Sequence, residues 1–179
     1  KALAEFHKYV SAYLATFIMW GFLMAFLYNM VSKSIVPNGD KTLMWISLTM
    51  FLSYLASDPL TSATFQIESM SYATAYVVWT VLDLTCIGAI LLISKGKSID
   101  SYPAKLYVLL GLLINSSLFI SMYIDINILE NTEEWWLWGF YTVTVNIMDA
   151  MMLIALFSNK DFLGLVKVYR RVRGQAEPA

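Results

Sequence analysis

Cysteine and histidine are nearly missing from this chain: one cysteine, Cys86, and one histidine, His7, stand among 179 residues. A lone cysteine excludes a disulfide within the chain, and one residue of each kind excludes the Cys/His clusters that hold structural zinc or iron–sulfur groups. Charge is scarce as well. Asp, Glu, Lys and Arg make up 14% of the residues, against about 25% in an ordinary soluble domain. The net charge of −1 leaves no basic surface for a nucleic-acid partner. The sequence also lacks a nucleophile elbow, an HExxH zinc motif, a P-loop, a dinucleotide fingerprint and a CxxC pair. The one dense acidic cluster, Glu130, Glu133 and Glu134, reads as a solvated loop. The chain is therefore read as non-enzymatic, with no cofactor and no metal.

What is present is apolar sequence in long blocks. Hydrophobic residues reach 59% and the mean hydropathy is +0.62. Polar clusters separate apolar stretches of about 20 residues, the length a helix needs to cross a bilayer. Membrane-spanning strands would alternate in segments of about 10 residues, and that pattern is absent. The expected fold is all-α: a polytopic helical membrane bundle in one domain, residues 1–160, with spans at 9–31, 42–57, 73–94, 105–124 and 135–157. Four spans result if the first run does not cross. That run is longer than the 7–15 residues or so of a signal-peptide core and no small-residue cleavage site follows, so it is read as a span. The second span is expected to stop at Asp58-Pro59, because proline disfavours helix at the residue before it. Residues 36–40 read as a turn, and Pro103 suits the first turn of the fourth helix.

Lys and Arg follow the first run (Lys33, Lys41), the third (Lys95, Lys97, Lys105) and the fifth (Lys160, Lys167, Arg170, Arg171, Arg173). The other two connections hold Asp58 and Glu68, then Asp125, Glu130, Glu133 and Glu134, with no Lys or Arg. The positive-inside rule puts the C-terminus in the cytoplasm and the acidic loops outside. The expected setting is a bacterial inner membrane. Five spans then place the N-terminus outside, which Lys1 and Lys8 mildly oppose.

Residues 161–179 form a cytoplasmic tail whose segment 161–173 carries Phe162, Leu165, Val166, Tyr169 and Val172 at helical spacing, flanked by Lys167, Arg170, Arg171 and Arg173. A basic amphipathic helix of this kind lies on the membrane surface and binds anionic lipid. Trp135, Trp136 and Trp138 fall at the outer end of the fifth span. They read as an interfacial anchor or, alternatively, as a grip on a partner. Gly21 and Ala25, with Ala12 and Thr16, give the small-xxx-small spacing that permits close helix approach. Met148, Met151 and Met152 offer soft ligands to copper(I) in principle, but core filling is the plainer reading.

Two aspartates, Asp83 and Asp149, lie inside apolar runs. A charge at mid-bilayer costs about 2.5–3.5 kcal/mol on insertion scales, so such residues face a protein interior or a watery path. Each shares a helix face with polar neighbours: Tyr72, Tyr76 and Trp79 with Asp83, and Trp138, Thr142 and Asn146 with Asp149. A third stripe, Ser117, Ser121 and Asp125 with Asn115 and Ser116 deeper, is expected to meet them in a polar seam open to the acidic side.

Two functional readings follow. In the first, the chain is a small non-enzymatic subunit or partner-binding component of a membrane complex, or packs against its own copies, and the aspartates only link helices. In the second, it is an oligomeric cation or proton channel or transporter. Asp83 and Asp149 are then the titrating groups, Asn146, Thr142 and Asn115 their hydrogen-bond partners, and Asp125 and Glu68 the outer funnel.

Overall fold

The computed structural model describes residues 2–35, 39–65 and 74–174, with side chains at 13–35, 39–61 and 74–174. Among the described residues there are six α-helices and no strand. They are α1 (Ala2–Ser34), α2 (Thr42–Phe65), α3 (Thr74–Ile93), α4 (Pro103–Tyr123), α5 (Trp136–Ser158) and α6 (Leu165–Val172). A π-helical turn, Ile124–Ile128, prolongs α4. Four segments are long and apolar enough to cross a membrane: Tyr13–Ser34, Thr74–Ile93, Pro103–Ile128 and Trp136–Ser158. The chain is thus a multi-pass helical membrane protein. At 24 residues α2 matches the others in length, but Asp58 and Pro59 dilute its apolar character. The choice between four and five crossings therefore rests on α2, not on the first run.

Each helix packs antiparallel on the next. Phe22 and Asn29 of α1 meet Tyr54 and Ser47 of α2. Thr61 and Thr49 of α2 meet Trp79 and Cys86 of α3. Trp79 meets Phe119 of α4, and Asn115 and Ala104 of α4 meet Asp149 and Asn159 after it. Finally α5 returns to α1, running parallel to it, with Leu153 against Gly21 and Phe157 against Tyr28. Five helices so close a ring.

The expected break at Asp58-Pro59 does not occur: α2 runs through it to Phe65. Proline removes the N–H that would bond the Leu55 carbonyl and crowds that oxygen. In the turn before it, the Ser57 hydroxyl donates to the Tyr54 carbonyl at 2.8 Å. Membrane helices tolerate proline where such side chains and neighbouring helices satisfy the freed backbone. Here α1 and α3 flank α2 on both sides, and packing overrides the local preference.

The Lys-rich end of the ring is solid. Ile46, Met50, Ile90, Leu112, Met152 and Leu156 are fully buried there. Asn29 crosses this core, donating to the Leu156 carbonyl at 3.0 Å and to its own helix at Ala25. Two glycines let helices close in. A Cβ on Gly111 of α4 would sit 2.6 Å from Met152 Cγ, and one on Gly21 of α1 would sit 2.6 Å from a Leu153 methyl. The small-residue positions Gly21 and Ala25 are thus spent inside the chain, and Met151 and Met152 are core.

Loops at this end are tied by charge. Lys97 pairs with Asp40, and Lys105 donates to the carbonyls of Ser94 and Lys97 beyond α3. Asn159, in the left-handed conformation at φ 46°, ends α5. Its side chain then accepts from the Ala104 N–H at the start of α4 and donates to the Ser101 carbonyl. Below α4, Tyr107 donates to Asp161 at 2.7 Å and stacks on Phe162. Asp161 also accepts from the N–H groups of Val166 and Lys167, so it caps α6 from a place before its first residue, Leu165.

Candidate functional site

Opposite the solid half, the ring is hollow. A cavity of about 370 Å³ opens between the five helices, lined by Ala15 of α1, Tyr54 and Asp58 of α2, Trp79 and Asp83 of α3, Phe119 of α4, and Tyr141, Val145 and Asp149 with Thr142 and Asn146 of α5. All of these positions except Asp149, which lies just past the middle of α5, are in the half nearer the acidic loops. Asp83 and Asp149 stand at the inner limit, where the packed core begins.

The two aspartates are therefore brought together, as their depth along α3 and α5 suggested. Both are buried, at 6% and 7% exposure, but their surroundings differ. Asp149 is held: the Tyr54 hydroxyl donates to its Oδ1 at 2.5 Å and the Asn115 amide at 3.0 Å. Asp83 Oδ2 is buried without a hydrogen-bond partner, and so are Asn115 Oδ1 and Ser116 Oγ on the facing helix. A buried polar atom left unpaired costs about 1–3 kcal/mol, and native structures carry few of them. Among the described residues no Lys or Arg lines the cavity, and the third charged group there is another acid, Asp58.

Aromatic rings form the wall toward the acidic end. Trp79 and Phe119 are 5.4 Å apart between centroids, Phe119 and Tyr141 6.1 Å, and Tyr76 packs edge-on against both Trp79 and Tyr141. The indole N–H of Trp79 is held by Thr61 at 3.1 Å, which fixes the ring at the cavity edge.

Several expected partners fall elsewhere. Thr142 and Asn146 line the cavity, but their side chains bond the carbonyls of Trp138 and Thr142 on their own helix, not Asp149. Of the three proposed partners only Asn115 reaches a carboxylate; the other donor is Tyr54. Ser117 and Ser121 turn back onto the carbonyls of Leu113 and Ser117. The inward face of α4 is instead Val108, Leu112, Asn115, Phe119 and Met122, spaced at helical intervals and all buried. Asp125 is buried but does not line the cavity. Its Oδ2 accepts from the indole N–H groups of Trp135 and Trp138 at 3.0 and 2.8 Å, and Asn131 donates to its Oδ1 at 3.2 Å. This carboxylate ties together the loop before α5, and Trp136 stays exposed beside it. Glu68 and Tyr72 lie outside the described residues.

Tyr54 had a legible signal. Ser47, Met50, Tyr54, Ser57 and Thr61 recur on one face of α2, and that face points inward. At the other end of the molecule, the Asp40 carboxyl is held well below the usual carboxylate range by the Lys97 ammonium and the Thr42 hydroxyl. Tyr102 beside it is pushed up to about 12, by burial first and then by Asp40. Burial pushes Asp161 up, but the bonds from Tyr107 and from the backbone of α6 outweigh it and leave the carboxyl below its ordinary value. In α6, Arg170 is spent on an ion pair with Asp100, whereas Lys167, Arg171 and Arg173 stay exposed.

No group of three His, Cys, Asp or Glu side chains able to hold a metal ion occurs among the described residues. Compared with known protein families, curated proteins and solved structures, the chain matches none.

Proposed function

We propose that this chain is a cation-handling membrane protein whose working part is the cavity between Asp83 and Asp149. The observation that carries the reading is that Asp83, whose Oδ2 is buried without a hydrogen-bond partner, and Asp149 line one cavity to which the described residues bring no Lys or Arg. Two carboxylates in one low-dielectric space repel each other, and for Asp83 Oδ2 no hydrogen bond among the described residues replaces the lost hydration. The repulsion is relieved when the pair takes up a proton or a cation, and one can replace the other. Asp149, pinned by Tyr54 and Asn115, is the fixed member of the pair; Asp83 is the member with a free acceptor.

The hollow half and the solid half make the site one-sided in this conformation. Passage to the Lys-rich end requires the helices around Met50, Leu112 and Met152 to part. In the cell the Lys-rich end faces the cytoplasm of a bacterial inner membrane, with five crossings and the N-terminus outside. The exposed Lys167, Arg171 and Arg173 of α6 rest on anionic lipid. A role as subunit of a larger membrane complex is the second reading; its support is the exposed Trp136 beside Phe140 on the outer face.

The test is proton movement. Purified protein in liposomes with an internal pH dye, given an imposed gradient of a monovalent cation, inorganic or organic, should move protons faster than empty vesicles, and Asp83→Asn should abolish the difference. If wild-type vesicles match empty ones, and the detergent-solubilised protein releases no proton on addition of any cation, the reading is wrong.

A further inference from the structure

We infer that the cation taken by this cavity is an organic ammonium with an apolar body, not a bare inorganic ion. The inference rests on the cation-handling reading and narrows it. An inorganic ion exchanges its water shell for several oxygens converging on one point, as carbonyl rings do in channel filters. The described residues leave three buried side-chain oxygens unpaired, and only Asp83 Oδ2 among them belongs to a residue that lines the cavity. They show no cluster of three His, Cys, Asp or Glu side chains able to hold a metal ion. The space itself is far larger than one ion. At about 370 Å³ it falls within the roughly 300–1,000 Å³ of pockets that take small organic molecules.

The chemistry of the walls is split in the same way as an amphiphilic amine. Asp83, whose Oδ2 has no hydrogen-bond partner among the described residues, and the pinned Asp149 offer negative charge at the floor. Trp79, Phe119 and Tyr141 offer an apolar, π-rich wall above it. Cations are drawn to aromatic faces, tryptophan most of all, and an alkyl or aryl body gains by leaving water. Asp58 toward the acidic end adds attraction for a cation on its way in. Charge balances simply. When the site carries one proton on its carboxyl pair, binding one ammonium ion at the floor sends that proton to solution, and no other reactant is needed.

The experiment uses the full chain in a neutral detergent micelle, with benzyltrimethylammonium as probe. This ion has a fixed charge and no proton of its own to give. Binding is read by tryptophan fluorescence and, in weakly buffered solution, by proton release. Expected is saturable binding with release of protons, weakened at least about 10-fold by Asp83→Asn and about 2–30-fold by Trp79→Leu, the span of a cation–π contact. Neopentylbenzene, the uncharged analogue of the same shape, should not compete. Circular dichroism and melting confirm that each variant is folded; should Asp83→Asn fail that check, Asp149→Asn takes its place. Proton release driven by Na⁺ or K⁺ but not by benzyltrimethylammonium overturns the ammonium assignment and leaves the cation-handling reading standing. Probe binding that both aspartate variants leave unchanged is partition into the micelle, and it too overturns the assignment. No binding and no proton release with any of the three cations overturns both.

Discussion

The Tyr54 hydroxyl on α2 donates a 2.5 Å hydrogen bond to Asp149 on α5, across 95 residues of sequence and across the interior of the ring. The two helices are not ring neighbours, so this bond is a strut through the middle of the bundle. It also divides the two intramembrane acids into a supported one and an unsupported one, and that division can be measured.

Removing the strut alone should be mild. Tyr54→Phe keeps the ring tilted against Phe22, 4.8 Å between centroids, and deletes one hydrogen bond. The expected loss of stability is about 0.5–1.5 kcal/mol, read as a lower unfolding midpoint in detergent, with the helical circular dichroism spectrum unchanged.

The aspartates should respond in opposite directions to leucine. Asp83→Leu removes an atom that has no partner and should stabilise the protein by about 1–3 kcal/mol, while proton or cation exchange disappears. Asp149→Leu strands the Tyr54 hydroxyl and the Asn115 amide and should cost about 2–4 kcal/mol. Thermal melts of the two variants side by side decide this. If both lose stability equally, the two sites are not different in kind.

The two glycine contacts should also separate. At Gly111 the obstacle to a new Cβ is the middle of the Met152 side chain, at 2.6 Å from both Cγ and Sδ, in a fully buried position. Gly111→Ala should cost about 1–3 kcal/mol through overpacking. At Gly21 the obstacle is a terminal methyl of partly buried Leu153, which can turn aside, so Gly21→Ala should cost less. Melting midpoints of the two variants provide the comparison.

Acid should loosen the Lys-rich end before it touches the core. Asp40 and Asp161 both sit below the ordinary carboxylate range in the folded chain. A lowered carboxyl stabilises the fold at pH above its unfolded value, near 3.9, and that stability drains away as pH falls toward the folded value. Pepsin should therefore nick the α6 region slowly at pH 4 and readily at pH 2. Asp161→Asn, which lacks the carboxylate that caps α6, should be nicked readily at both.

The apolar runs made α1, α3, α4 and α5 legible in the sequence, because bilayer length and helix rise leave little choice. Asp83 and Asp149 were legible for the same reason, since a charge amid twenty apolar residues is conspicuous. What the sequence hid was rotation. Every face of a membrane helix is apolar, so the pattern does not show which side of α4 turns inward, and Ser117 and Ser121 seemed as good as Asn115 and Phe119. Ser117 and Ser121 satisfy themselves on their own helix turn, whereas the Asn115 amide reaches across to Asp149. Pro59 misled because a local rule was applied where two flanking helices supply the support. Asp125 misled because its partners, Trp135 and Trp138, come from the far side of a loop.

Met152 and Leu153 are consecutive on α5, one seated against Gly111 of α4 and the other against Gly21 of α1. Two notches at the same height on opposite flanks act as a fulcrum: α5 resists sliding along its axis there, since a shift of one turn must vacate both at once, but it can tilt. Asp149 lies one turn from that point, whereas Trp136 to Thr142 lie at the long end of the lever. A small tilt would sweep Tyr141 and the aromatic wall through the widest arc and leave Asp149 almost still.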